Sequence, residues 1–112
     1  MSILHRPDDL NHTETVYFCL FTGSFTELEN VDKYRFTSGR NYISTFERRF
    51  LNGGRLKRTT EHAQNGTQYY RYSIADKTQC ETLIKAYNLS RNRRKLHGLS
   101  AEEQEALLAK YD

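Results

Sequence analysis

The chain has 112 residues and a formal net charge of +3 at pH 7. This length suits one domain with a small core, and a hydrophobic fraction of 37% excludes a wholly disordered protein. Positive charge is concentrated in the middle of the chain, where residues 33–95 hold 15 of the 17 Lys and Arg residues but only 4 of the 14 Asp and Glu residues. This segregation favours a polyanionic partner, although charges that are close in sequence need not be close on the surface.

The two cysteines, Cys19 and Cys80, lie in apolar runs without CxxC spacing. This pattern predicts buried, reduced thiols and no zinc site. Reduced thiols are typical of a reducing compartment, and neither a signal peptide nor an apolar run of about 20 residues is visible, so we expect a cytoplasmic protein without a membrane partner. No catalytic, metal or cofactor motif is present, and the sequence favours a protein that is not an enzyme and needs no cofactor. Acids and histidines that are distant in sequence can still meet in a fold.

In chain order, residues 1–12 are expected to form a flexible polar arm, and residues 13–112 a single domain. Thr13–Thr22 contains a short, unbroken, aromatic run and is predicted to be a strand buried on both faces, although a short buried helix fits the same pattern. Tyr34–Phe36 alternates in polarity and is predicted to be a second strand. Residues 38–51 repeat apolar side chains at helical spacing, which predicts a helix ended by Asn52-Gly53-Gly54.

Residues 55–74 are predicted to form a β-hairpin around Asn65-Gly66, the dipeptide that suits a tight turn. With a two-residue loop Thr59 would face Tyr72, and a longer loop is left open. The inward face of the hairpin would carry Tyr70, Tyr72 and Ile74. The outward face would carry Arg58, Thr60, His62, Tyr69 and Arg71.

Asp76 is expected to cap a helix that ends near Asn88, followed by a basic linker over residues 89–98. Ser100 and Glu103 form a capping box that predicts a terminal helix. The predicted order is strand-strand-helix-strand-strand-helix-helix. This order indicates the α+β class, with an antiparallel sheet of about four strands and helices packed on one face.

A nucleic-acid interface requires cations for phosphates and planar or hydrogen-bonding groups for bases. The outward hairpin face offers both, with Arg58, Arg71 and Tyr69 as the expected central contacts, and the linker adds four positive charges in five residues. The candidate nucleic-acid-binding residues are Arg48, Arg49, Arg55, Lys57, Arg58, Thr60, His62, Tyr69, Arg71, Arg91, Arg93, Arg94 and Lys95.

The segment Phe21-Thr22-Gly23-Ser24-Phe25 resembles the end of the LAGLIDADG homing-endonuclease motif, in which an acid precedes Gly-Ser-Phe. The order of elements over roughly residues 15–110 is similar to that family's layout, whose antiparallel strands lie on DNA. The family's metal-binding acid is replaced here by Thr22, and its motif helix packs through small residues where this chain has Val16, Tyr17 and Phe18. The resemblance therefore implies a DNA-binding protein without the metal-dependent nuclease site.

The leading hypothesis is a non-catalytic DNA- or RNA-binding regulatory protein, with duplex DNA as the favoured partner and a phage or mobile element as the origin. A protein-binding inhibitor or adaptor, such as an anti-defence protein that docks an acidic partner surface, is the first alternative, since eight tyrosines suit a protein interface. A small nuclease is the second. A homodimer stays open, because the run Val16–Phe21 is very apolar for one small core.

Overall fold

The computed structural model describes residues 4, 6–26 and 39–111 of the chain, and it begins with a helix where the sequence pattern predicts a strand. Helix α1 spans His12–Thr22 and is capped by Asn11, whose side chain accepts a hydrogen bond from the Glu14 backbone N–H at 2.8 Å. Glu14 completes the capping box by accepting from the Asn11 backbone N–H at 3.2 Å. Gly23, at φ 153°, ends the helix.

The strand prediction for Thr13–Thr22 was wrong because α1 is buried on every side. All residues from Glu14 to Phe21 are buried. A helix with no solvent face shows no 3.6-residue alternation of polarity, so its apolar run has the appearance of a buried strand. The capping box at Asn11 was the local signal that distinguishes the two.

The remaining elements confirm the α+β class. They are β1 (Phe25–Thr26), α2 (Gly39–Phe50), β2 (Lys57–His62), β3 (Gln68–Ser73), α3 (Lys77–Arg93) and α4 (Ala101–Ala109). The described strands form one antiparallel sheet in the order β1-β3-β2. This is slightly fewer strands than predicted, and the strand expected at Tyr34–Phe36 lies outside the described residues.

The hairpin of β2 and β3 is in the predicted place but is offset by one residue from the two-residue-loop register. Thr59 pairs with Arg71, not with Tyr72, and Arg58 pairs with Tyr72. Residues 63–67 form the loop, which is closed by the Ala63 N–H donating to the Thr67 carbonyl at 2.8 Å. A one-residue slip turns every side chain of one strand to the other face relative to its partner. Tyr72 and Ile74 are buried as predicted, but Arg58 of β2 lies on their side of the hairpin and not on the outward face.

The two C-terminal helices begin where the capping signals predict. Asp76 accepts from the Gln79 backbone N–H at 2.9 Å, and Ser100 accepts from the Glu103 backbone N–H at 3.1 Å. Helix α3 continues to Arg93, however, and does not end near Asn88. The first half of the expected linker over residues 89–98 is therefore helical.

The core is built around α1, which contacts α2, α3 and β1. The Tyr17 ring meets Phe46 of α2 edge-on, with 5.5 Å between ring centroids, and Phe21 meets Tyr87 of α3 in the same way at 5.4 Å. Phe25 and Tyr72 cover the inner face of the sheet and are both buried. The helical layer and the sheet thus share one core, with α1 between them.

Within the described part of the chain, none of the helices has the length and apolar character that a transmembrane segment needs.

Replacing Asn11 with Ala tests the helical assignment of α1. The variant loses the side-chain acceptor for the Glu14 N–H, and we expect the free energy of unfolding to fall by about 1 kcal/mol. Asn11→Ser keeps an acceptor at the cap and should stay close to the wild type. Urea denaturation monitored by circular dichroism measures both variants. Equal stability of the Ala and Ser variants would contradict a capped helix at this position.

Candidate nucleic-acid interface

Arg58, expected on the outward face of the hairpin, lies on the inner face instead. Both of its terminal nitrogens donate to the Glu47 carboxylate of α2 at 2.8 Å, and its guanidinium lies over the Tyr72 ring, 4.9 Å from the centroid. Glu47 also accepts from the Leu56 backbone N–H at 2.8 Å. Burial alone would raise the pKa of Glu47, but these hydrogen bonds outweigh it and hold the pKa below its ordinary value. Arg58 therefore ties the hairpin to α2.

The other predicted hairpin contacts are divided between two faces. Tyr69 and Arg71 share the face opposite to Arg58, and there Arg71 forms a two-pronged ion pair with Glu61, with Nε and Oε2 2.6 Å apart. Thr60 and His62 are exposed on the same face as Arg58. The register offset separates these residues, so the expected basic face that joins Arg58 to Arg71 does not exist.

The basic residues of 91–95 also point in different directions, because consecutive residues at the end of α3 project from different sides of the helix. Arg91 is only 4% exposed, and it donates to Asp9 at 2.7 Å and to the His97 carbonyl at 2.9 Å. Arg94 donates to both oxygens of Glu14 and to the Asp9 carbonyl. Asp9, expected to lie solvated in a loose arm, is thus held against α3. Arg93 and Lys95 are exposed.

Glu14 is the centre of this group, which we call the buried charge network: Asp9, Glu14, Ser90, Arg91 and Arg94. The residue is completely buried, and its Oε2 atom also accepts from the Ser90 hydroxyl at 2.6 Å. Burial alone would raise its pKa, but hydrogen bonds from Arg94, Ser90 and Asn11 outweigh the burial and hold the pKa below its ordinary value of 4.5. Each carboxylate oxygen is satisfied by donors, which is the condition for burying a charge.

Four exposed arginines remain available to a partner: Arg48, Arg49, Arg55 and Arg93. None of them forms an ion pair within the described ranges 6–26 and 39–111. We call these four residues the basic surface.

The four residues of the basic surface line two grooves that meet the last turn of α2. Arg49 and Arg93 line a groove of about 260 Å³ between α1, α2 and α3, which we call the three-helix groove. Arg48 and Arg55 line a second groove of about 370 Å³ at the end of α2, which we call the α2-end groove. Because Arg48 and Arg49 are consecutive in α2, the cations of the two grooves are neighbours.

The α2-end groove exists because of how α2 terminates. Asn52 at φ 49° and Gly53 at φ 92° adopt the left-handed conformation that stops a helix, and the chain then turns into Arg55. Gln79 of α3 donates to the Arg55 carbonyl at 2.7 Å, which fixes this turn against α3. Lys57 follows as an exposed residue of β2.

Sequence reasoning missed two apolar members of the three-helix groove, Phe50 and Leu89. Leu89 is 41% exposed, and it lies in the part of the chain that was expected to be a polar linker. Leu89 comes two residues after buried Tyr87 and therefore projects from the opposite side of α3, so no apolar periodicity in the sequence marks it.

The two cysteines are buried, as predicted, and do not form a disulfide bond, and burial raises the pKa of the Cys80 thiol. Across the described residues there is no cluster of three or more His, Cys, Asp or Glu side chains placed to hold a metal ion.

Glu14→Gln tests the buried charge network. The variant removes the carboxylate that pairs with Arg94 and that lies 3.6 Å from buried Arg91, and we expect the free energy of unfolding at pH 7 to fall by about 3 kcal/mol. Because the folded pKa of Glu14 is depressed, its stabilisation is present above pH 4.5 and is lost as the pH falls through the folded value. The variant should therefore lose less stability on acidification than the wild type does.

Glu105→Gln is the matched control, since Glu105 is exposed on α4. Denaturant unfolding at several pH values between neutral and acidic measures all three proteins. An acid response of Glu14→Gln equal to that of the wild type would contradict the assigned role of Glu14.

A double-mutant cycle with Arg58→Met and Glu47→Gln tests whether Arg58 is a structural residue. We expect a coupling energy of about 1.5–3 kcal/mol in unfolding, because the hydrogen bonds are charge-assisted and partly buried. The more exposed pair of Arg71 and Glu61 should couple more weakly. A larger coupling energy for Arg71 and Glu61 than for Arg58 and Glu47 would contradict the structural role of Arg58 and leave it a candidate for ligand binding.

The comparisons with known proteins give a family but no described relative. No curated protein and no solved structure matches the chain significantly. One family model, whose description is "Uncharacterised protein PM1773", matches residues 8–112. This match covers α1 through α4, with the buried charge network and the basic surface inside it. The chain therefore belongs to the family described as uncharacterised protein PM1773.

Proposed function

We propose that the protein binds nucleic acid without cleaving it, through the basic surface of Arg48, Arg49, Arg55 and Arg93. The observation that carries the proposal is the state of these four side chains. They are exposed and unpaired within the described chain, while Arg58, Arg71, Arg91 and Arg94 are all held by carboxylates. The protein thus neutralises half of these arginines internally and leaves a local group of four to meet anions.

The arrangement favours an extended anion over a small one. The four guanidinium groups are distributed over two grooves on both sides of the last turn of α2. A polyphosphate backbone can reach several such positions at once, whereas a single small anion fills only one. Arginine also suits this role because its planar group can bind phosphate oxygens in pairs.

Duplex DNA is the partner that the resemblance to LAGLIDADG homing endonucleases favours. In support, the segment Phe21–Phe25 spans the end of a buried helix and the start of the strand that follows it. Thr22 stands where that family has its metal-binding acid, and its hydroxyl donates to the Phe18 and Cys19 carbonyls of its own helix. A regulatory role and an origin in a phage or mobile element belong to the same proposal.

The proposal is tested by titrating duplex DNA, single-stranded DNA and RNA at several salt concentrations. We expect wild-type affinity to fall as salt rises. Arg48→Ala/Arg93→Ala, which removes one cation from each groove, should weaken binding and lower the slope of log affinity against log salt by about 2. Both residues are exposed, so circular dichroism and thermal unfolding should be unchanged.

Lys85→Ala is the matched control, because Lys85 is exposed on α3 and lines neither groove. Its salt slope should equal that of the wild type. An equal loss of slope in the control and the double variant would reject the basic surface as the site. If no nucleic acid binds at low salt while one protein is recovered stoichiometrically by affinity capture, the protein-binding alternative replaces this proposal.

A further inference from the structure

The three-helix groove differs from the α2-end groove in having apolar side chains beneath its cations. Tyr17 of α1, Phe50 of α2 and Ala86 and Leu89 of α3 contribute to its lining, together with Arg49 and Arg93. Leu89 and Tyr70 are the exposed large apolar residues of the described chain, and Tyr70 lies far along the chain on the hairpin. A single exposed leucine is common on protein surfaces, but Leu89 lines the same groove as Phe50 and two arginines that form no ion pair among the described residues, so apolar surface and positive charge meet there.

Within the three-helix groove, each of the two exposed arginines is next to an apolar side chain. The Arg49 guanidinium carbon is 5.8 Å from the centroid of the Phe50 ring, so charge and aromatic surface adjoin directly. Arg93 and Leu89 are four residues apart in α3 and therefore project from the same face of that helix. The α2 and α3 walls of the groove thus each present an exposed cation beside an apolar side chain.

Phosphate contacts alone do not explain this pairing, because a phosphate gains nothing from leucine or phenylalanine. A ligand that uses both features has an anionic group attached to a flat, weakly polar group. In a nucleic acid, that unit is one nucleotide whose base is unpaired, since paired bases in a duplex are stacked on their neighbours. Proteins that bind single strands combine aromatic or apolar surfaces for bases with a cationic groove for the backbone.

We propose that the three-helix groove holds one unpaired nucleotide, with its base against Phe50 and Leu89 and its phosphate between Arg49 and Arg93. This inference rests on the proposed function and narrows the ligand to a strand with a free base. That strand is either single-stranded or a duplex from which one base has been displaced. Arg94, although it lines the groove, is held by Glu14 and fixes the wall.

The test compares two labelled DNA single strands of equal length, one intact and one with its central nucleotides abasic. Both carry the same number of phosphates, so a difference in affinity reports base contacts. We expect the wild type to bind the intact strand about tenfold more tightly. Leu89→Ser should lose most of this preference while it keeps the wild-type salt slope, because no charge is removed.

Tyr70→Ser is the matched control, since it removes a comparably exposed apolar side chain outside the groove. It should keep the tenfold preference. Equal affinity of the wild type for the two strands, or an unchanged preference in Leu89→Ser, overturns the inference and leaves the proposed function standing. If the wild type binds neither strand nor the corresponding duplex, both the proposed function and this inference are rejected.

Discussion

The carboxylate of Glu14 lies where the first turn of α1 meets the last turns of α3, and the arrangement of charge in the rest of the molecule depends on it. A fully buried carboxylate is costly unless hydrogen bonds and opposite charges surround it. Here the capping position of α1, the Ser90 hydroxyl and the Arg94 guanidinium supply those partners. Arg91 and Asp9 extend the same group, so the N-terminal end of the described domain is fixed to the C-terminal end of α3.

This network changes what the basic middle of the chain can do. Two of the four cations in residues 91–95 are directed inward because positions 91 and 94 lie on the same face of the helix. Two more cations, on the hairpin, are neutralised by carboxylates: Arg58 binds Glu47 and Arg71 binds Glu61. A sequence that is rich in arginine therefore yields a smaller exposed group, centred on the end of α2.

The arginines of the proposed interface accordingly lie at or just after the C-terminal ends of α2 and α3, and not on a face of the sheet. The left-handed residues after α2 turn the chain so that Arg55 returns beside Arg48, and the extension of α3 to Arg93 places a cation opposite Arg49. The same extension exposes Leu89 beside those cations. On the α3 side of the three-helix groove, the charge of Arg93 and the apolar surface of Leu89 thus have one structural origin, which is the length of α3.

The sequence by itself determined the elements whose signals are local. Glycines and capping residues placed the end of α2 and the starts of α3 and α4, Asn65-Gly66 placed the hairpin, and the pattern as a whole indicated the α+β class. Apolar periodicity could not identify Val16–Phe21 as helical, because burial on all sides removes it, and the capping box of Asn11 and Glu14 was the one local sign of the helix. Only the tertiary structure decided the hairpin register and the partners of each arginine. Carboxylates distant in the chain select those partners, and no local pattern records which cations are neutralised and which remain for a ligand.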